Sequence, residues 1–69
     1  MKFIPGTRFI NRTDSNKKLF KKNILYILQD IKKENEKLVI YTFFVDGESK
    51  KINFKSFKQA EDWLEKIKI

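Results

Sequence analysis

The stretch Leu19-Phe20-Lys21-Lys22-Asn23-Ile24-Leu25-Tyr26-Ile27-Leu28-Gln29-Asp30-Ile31 admits two readings, and the choice between them decides the fold. Phe20, Ile24, Ile27, Leu28 and Ile31 recur at the spacing of an amphipathic helix, which Asp14 or Ser15 would cap. Residues 24–28, however, form an unbroken apolar run rich in strand-forming side chains. The sequence that follows separates the two. Leu38-Val39-Ile40-Tyr41-Thr42-Phe43-Phe44-Val45 is the clearest strand in the chain, dense in β-branched and aromatic residues. Between the two runs lies Lys32-Lys33-Glu34-Asn35-Glu36-Lys37, fully polar and long enough for a hairpin loop. Residues 24–31 are therefore expected to be a strand of matched length, with Ile31 opposite Leu38 and Leu25 opposite Phe44. The helical alternative would give a β-α-β-β-α domain instead.

The remaining elements fall on either side of this hairpin. Pro5-Gly6 signals a turn. Residues 7–12 mix strand-formers with polar residues and predict a short strand, and Thr13-Asp14-Ser15-Asn16 carries turn chemistry. On the C-terminal side, Asp46-Gly47 is a strong hairpin dipeptide. Residues 50–55 alternate Ile52 and Phe54 with polar neighbours, as a strand with one wet face does. Ser56 is placed as a helix N-cap. Phe57, Ala60, Trp63, Leu64 and Ile67 then give one apolar helical stripe, with Lys58, Glu61, Asp62 and Lys66 opposite. Trp63 is expected in the core. Phe43 and Phe44, adjacent on a strand, must point to opposite faces. An exposed Phe there, beside Tyr41 or Phe54, would make a stacking platform or a protein contact.

This order of elements resembles the small SH3-like β-barrels of phages and mobile elements of low-GC bacteria. The resemblance is carried by hydrophobic positions at residues 6–11, 26–31, 39–48 and 56–67. It implies an α+β fold, a small SH3-like antiparallel β-barrel or sheet with a C-terminal α-helix. Barrels of this kind bind nucleic acids, peptides and proteins alike, so the fold leaves the ligand open. The segment 13–23 is longer than the pattern usually has.

At 69 residues the chain is expected to be one domain. Ile, Leu, Val and Phe make up about one third of it, above the range of disordered chains. There is no cysteine and no histidine, which excludes disulfides, thiol chemistry, zinc fingers and imidazole catalysis. No apolar run is long enough to span a membrane, and the N-terminal residues do not make a signal peptide, so a cytoplasmic protein is expected.

The charge is uneven. The net charge is +7, and residues 1–22 hold Lys2, Arg8, Arg12, Lys17, Lys18, Lys21 and Lys22 against Asp14 alone. Segregation of this kind points to a polyanion or to an acidic protein surface. No nucleophile, acid–base pair or phosphate-binding glycine loop stands in a recognisable motif, and neither a metal nor a cofactor is expected. Asp30, Glu34 and Glu36 lie among Lys32, Lys33 and Lys37 and balance surface charge. Glu61, Asp62 and Glu65 are placed in the early turns of the helix, where its dipole favours carboxylates.

The chain is thus expected to be a small basic non-catalytic binding protein. Arg8, Arg12, Lys17, Lys18, Lys21 and Lys22 would contact a nucleic-acid backbone, with Lys50 and Lys51 beside them. Phe20, set between lysine pairs, would either stack on an unpaired base or anchor its loop in the core. The alternative is a protein-interaction module, such as a phage-encoded inhibitor of a host defence enzyme or a small subunit of a larger complex. Its basic face would then meet an acidic protein surface, or an exposed strand edge would extend a partner's sheet.

Overall fold

The computed structural model describes residues 2–15 and 18–69. Its elements are β1 (Arg8–Ile10), β2 (Leu25–Asn35), β3 (Leu38–Val45), β4 (Glu48–Phe54) and α1 (Phe57–Glu65). The strands form one antiparallel sheet in the order β1-β2-β3-β4. The α+β class therefore holds, and the sheet is open, with β1 and β4 at its ends.

The decisive stretch is strand. Residues 25–35 form β2, which removes the β-α-β-β-α alternative, and the helical spacing of Phe20, Ile24, Ile27, Leu28 and Ile31 is coincidental. The hairpin register differs from the expected one. Ile31 lies opposite Tyr41 rather than Leu38, and Phe44 lies opposite Ile27 rather than Leu25. Two causes act together. Residues 32–35 continue the strand instead of forming the loop, so the connection shrinks to Glu36-Lys37, closed by the Lys37 N–H on Asn35 Oδ1 at 2.8 Å. The ladder also slips between Leu28 and Asp30, and again between Lys33 and Asn35. Such bulges insert an extra residue and steepen the local twist. Leu25, freed from β3, pairs with Ile10 of β1.

At the next turn Asp46 has φ 51° and Gly47 has φ 80°, the pair of left-handed residues that a tight β-hairpin needs. Ser56 caps α1 as expected: its Oγ accepts from the Gln59 N–H at 3.1 Å. The first turn of α1 holds no carboxylate, because Glu61 sits four residues past the first helical residue, so the expected dipole role of Glu61, Asp62 and Glu65 does not apply. Glu65 instead pairs with Lys2 Nζ, and Glu61 accepts from the Lys2 main-chain N–H. Ile67 lies beyond the helix, which ends at Glu65 with Lys66 as C-cap. From there the chain runs antiparallel along the free edge of β1. The Ile10 N–H donates to Ile67 O at 2.9 Å and the Ile69 N–H to Arg8 O at 3.1 Å.

One face of the sheet carries Phe9, Tyr26, Leu28, Val39, Tyr41, Phe43, Ile52 and Phe54, all buried. They meet Ala60 and Leu64 of α1, with Phe3, Phe20 and Ile67 completing the core. Phe43 sits at its centre, with ring centroids of Phe20 at 5.4 Å, Phe9 at 5.9 Å and Tyr26 at 5.9 Å, all edge-to-face. Such pairs add to plain area burial. A chain this short has no disulfide to help it, and the interlocked rings supply the dense apolar packing it needs.

Candidate nucleic-acid interface

The long connection between β1 and β2 carries most of the expected basic residues, and one buried side chain organises it. Asn11 is fully buried, and both ends of its amide are occupied. Nδ2 donates to Ser15 O at 2.9 Å and to Phe20 O at 3.0 Å, while Oδ1 accepts from the Thr13 N–H at 3.1 Å and Thr13 Oγ1 at 2.9 Å. The Asn23 N–H donates to Asn11 O at 2.7 Å, and Asn23 takes φ 63°, a left-handed conformation that asparagine tolerates better than most residues. These bonds fold the segment back on itself and swing Phe20 inward.

Phe20 is fully buried, with Tyr26, Phe43 and Trp63 rings at 5.0, 5.4 and 5.3 Å. It anchors the connection in the core, so the base-stacking reading of Phe20 fails: no face of the ring reaches solvent. The neighbouring Lys21 N–H is tied to Tyr26 Oη at 2.9 Å.

The structure divides the expected basic residues rather than gathering them. Lys17 lies outside the described residues. Lys18 is exposed. Lys22 is engaged by Asp14 at 3.1 Å. Lys50 and Lys51 alternate along β4, so Lys50 shares its face with Phe43 and Lys51 shares the opposite face with Thr42. Lys50 borders a hollow with Lys21, Tyr26 and Val45, which Asp46 and Glu48 also line. Arg12 borders a different hollow with Lys66 and Lys68. Arg8 belongs to neither: it lies on the second face of the sheet, in one register row with Ile27, Phe44 and Ser49.

That second, outer face is covered by no element among the described residues. Phe44 is 41% exposed at its centre and Leu25 is 39% exposed beside it. Ile10, Ile27 and Ile40 are half-buried around them. Arg8 stands at the β1 side and Lys51 at the β4 side, while Asp30 faces Thr42 one row away. Ser49 Oγ donates to Gln29 Oε1 at 2.7 Å across β3, a tie that rests on the bulge next to Leu28. The expected neighbours of the exposed Phe are therefore wrong. Tyr41 and Phe54 point into the core, and Phe44 has aliphatic and basic neighbours instead. Sequence reasoning identified that one of the two phenylalanines is exposed. Lys51 reaches this face through the regular register of the β3–β4 hairpin, whereas the row that joins Arg8 to Phe44 through Ile27 depends on the bulged register of β2, which no local pattern marks.

Among the described residues no group of acidic side chains is arranged to hold a metal ion, and no helix is long and apolar enough to cross a membrane. Compared with known proteins, the chain matches no family model, no curated protein and no solved structure.

Proposed function

We propose that the protein is a non-catalytic binding module that lays a single-stranded nucleic-acid segment across the outer face of its sheet. The observation that carries this reading is the Phe44 ring, 41% exposed in the same register row as Arg8, with Lys51 on the same face. An aromatic ring on a sheet face offers a base a stacking surface, and flanking cations hold the backbone. Arg8 and Lys51 take the phosphates, and Phe44 takes the stacking role that the buried Phe20 cannot fill. The contacts assigned here are to the backbone and to a base face, so affinity is expected to depend little on sequence.

The fold reading that accompanies this is SH3-like. It is supported by β2, which is long, bulged and shared between β1 and β3, and by residues 67–69, which return to the edge of β1 after the helix. The second reading, a protein-interaction module with an acidic partner, is favoured by the aliphatic neighbours of Phe44, since Leu25, Ile10 and Ile27 add apolar area without a stacking face.

Fluorescence anisotropy with labelled single- and double-stranded oligonucleotides at two salt concentrations separates the two. Single-strand binding is expected to weaken steeply with salt. Phe44→Ala should weaken it by about 1–3 kcal/mol, the usual worth of one stacked base. Arg8→Glu with Lys51→Glu should flatten the salt slope by roughly one to two units. Absence of binding at low salt overturns the nucleic-acid reading and leaves the acidic protein surface as the target for a pull-down.

A further inference from the structure

Two adjoining hollows lie along the edge of β1 where residues 66–69 return to it, and Ile10 borders the first of them. The first, about 380 Å³, is bordered by Arg12, Lys66 and Lys68. The second, about 300 Å³, is bordered by Ser15 and Trp63. They share Thr13, Lys66 and Ile67 as a common wall. We propose that together they form a nucleoside-phosphate site, with the phosphate among Arg12, Lys66 and Lys68 and the base against Trp63.

The main chain that carries the three exposed cations is fixed. Arg12 follows Asn11, whose amide is fixed by four hydrogen bonds. Lys66 is the C-cap of α1, and Lys68 is opposite Phe9 in the bridge that ties the chain to β1. Among the described residues, none of the three has a carboxylate within ion-pair distance. The acidic residues nearest in sequence to Lys66 are taken, Asp62 by Lys58 at 3.2 Å and Glu65 by Lys2. Even with a carboxylate at Ile69 set against them, two charges stay uncompensated. A lysine at a helix C-terminus is often explained by the helix dipole. That accounts for Lys66 and leaves Arg12 and Lys68 unexplained.

A phosphate monoester fits this arrangement. It brings close to two negative charges and three acceptor oxygens, and a guanidinium can meet two of those oxygens at once. Thr13 does not compete, because its hydroxyl proton is committed to Asn11 Oδ1. Trp63 is half-buried and held from the core side by the Phe20 ring at 5.3 Å. The second hollow lies at the lower end of the size range of small-ligand sites, large enough for a base and little more.

Trp63 is the only tryptophan, so its fluorescence reports on this site directly. The intact protein is titrated with adenosine monophosphate, adenosine and inorganic phosphate, exciting where the nucleotide does not absorb. The monophosphate is expected to give a saturable change, with adenosine and phosphate each at least about tenfold weaker. Arg12→Glu and Lys68→Glu replace exposed side chains and should not lower the melting temperature, while weakening the monophosphate at least about tenfold. Phe44→Ala should leave it unchanged, which separates this site from the sheet face. No saturable change overturns the proposal, as does equal binding by the folded Arg12→Glu and Lys68→Glu proteins. Phosphate binding as well as the monophosphate removes the base site, and adenosine doing so removes the cation site.

Discussion

Tyr41 and Asn11 are both fully buried polar side chains, and they are treated in opposite ways. Asn11 has donors and acceptors on every side. Tyr41 Oη is buried with no hydrogen-bond partner among the described residues, and burial, with Glu61 as a lesser contribution, pushes its pKa up to about 12. An unpaired buried hydroxyl contributes nothing to offset its lost hydration, so Tyr41→Phe is expected to stabilise the fold by about 1 kcal/mol in urea melts. The sign of the pH effect follows from the same burial. The folded state holds the proton more tightly than the unfolded chain, so this stability is intact below about pH 10 and declines as pH rises towards 12, at about 1.4 kcal/mol per pH unit. The comparison with Tyr41→Phe isolates the tyrosine: the variant should lose visibly less stability between the two values. Equal alkaline losses in both proteins would show that the hydroxyl is hydrated. Asn11→Ala should move the other way. It strands the Ser15 and Phe20 carbonyls and the Thr13 donors at once, and a loss of about 3 kcal/mol is expected, with the loop holding Phe20 loosened.

The elements divide by how local their determinants are. The Asp46-Gly47 turn and the Ser56 cap are settled by one or two residues each, and both stand where the sequence places them. Each has a local test. Gly47→Ala meets open space but must hold φ 80°, so about 1 kcal/mol should be lost to backbone strain alone. Ser56→Ala should lose about 1 kcal/mol through the orphaned Gln59 N–H. Thermal melts of the two single variants and the double variant should show near-additive losses, since the sites share no partner. The hairpin of β2 and β3 is of another kind. Its strands are legible because apolar runs of matched length flank a polar stretch. Its register is not, because the bulge beside Gln29 depends on how a twisted strand serves β1 at one end and β3 at the other. The same limit governs the candidate interface. Arg8 and Phe44 are separated by most of the hairpin in sequence, and only the register brings them into one row. Phe20 shows the limit from the other side: flanking lysines suggest exposure, while the inward turn made by Asn11 buries it.

At the scale of the whole molecule, charge is the dominant feature. A net +7 is confined to a fold whose longest extent is 31 Å, so at about 0.01 M salt, where the Debye length is about 30 Å, nearly all of its charges act on one another. The ion pairs Lys32–Glu34, Lys33–Glu36 and Lys58–Asp62 are exposed and contribute little individually. Repulsion among the uncompensated cations, Arg8, Arg12, Lys66 and Lys68 among them, therefore outweighs the attraction that salt would screen. The melting temperature is expected to rise by a few degrees as sodium chloride increases from about 0.01 M to 0.15 M. A ligand that binds the folded state adds to this by mass action, so a short single-stranded oligonucleotide at low salt should raise it further, and the increment should shrink as salt is added. The two effects oppose each other along one salt axis. Without oligonucleotide the melting temperature climbs, and with it the curve begins higher and converges on the same value. Differential scanning fluorimetry across that axis reads both. A melting temperature that falls with salt in the absence of ligand would mean that the surface ion pairs, not the net charge, govern stability, and that the basic groups are already satisfied within the fold.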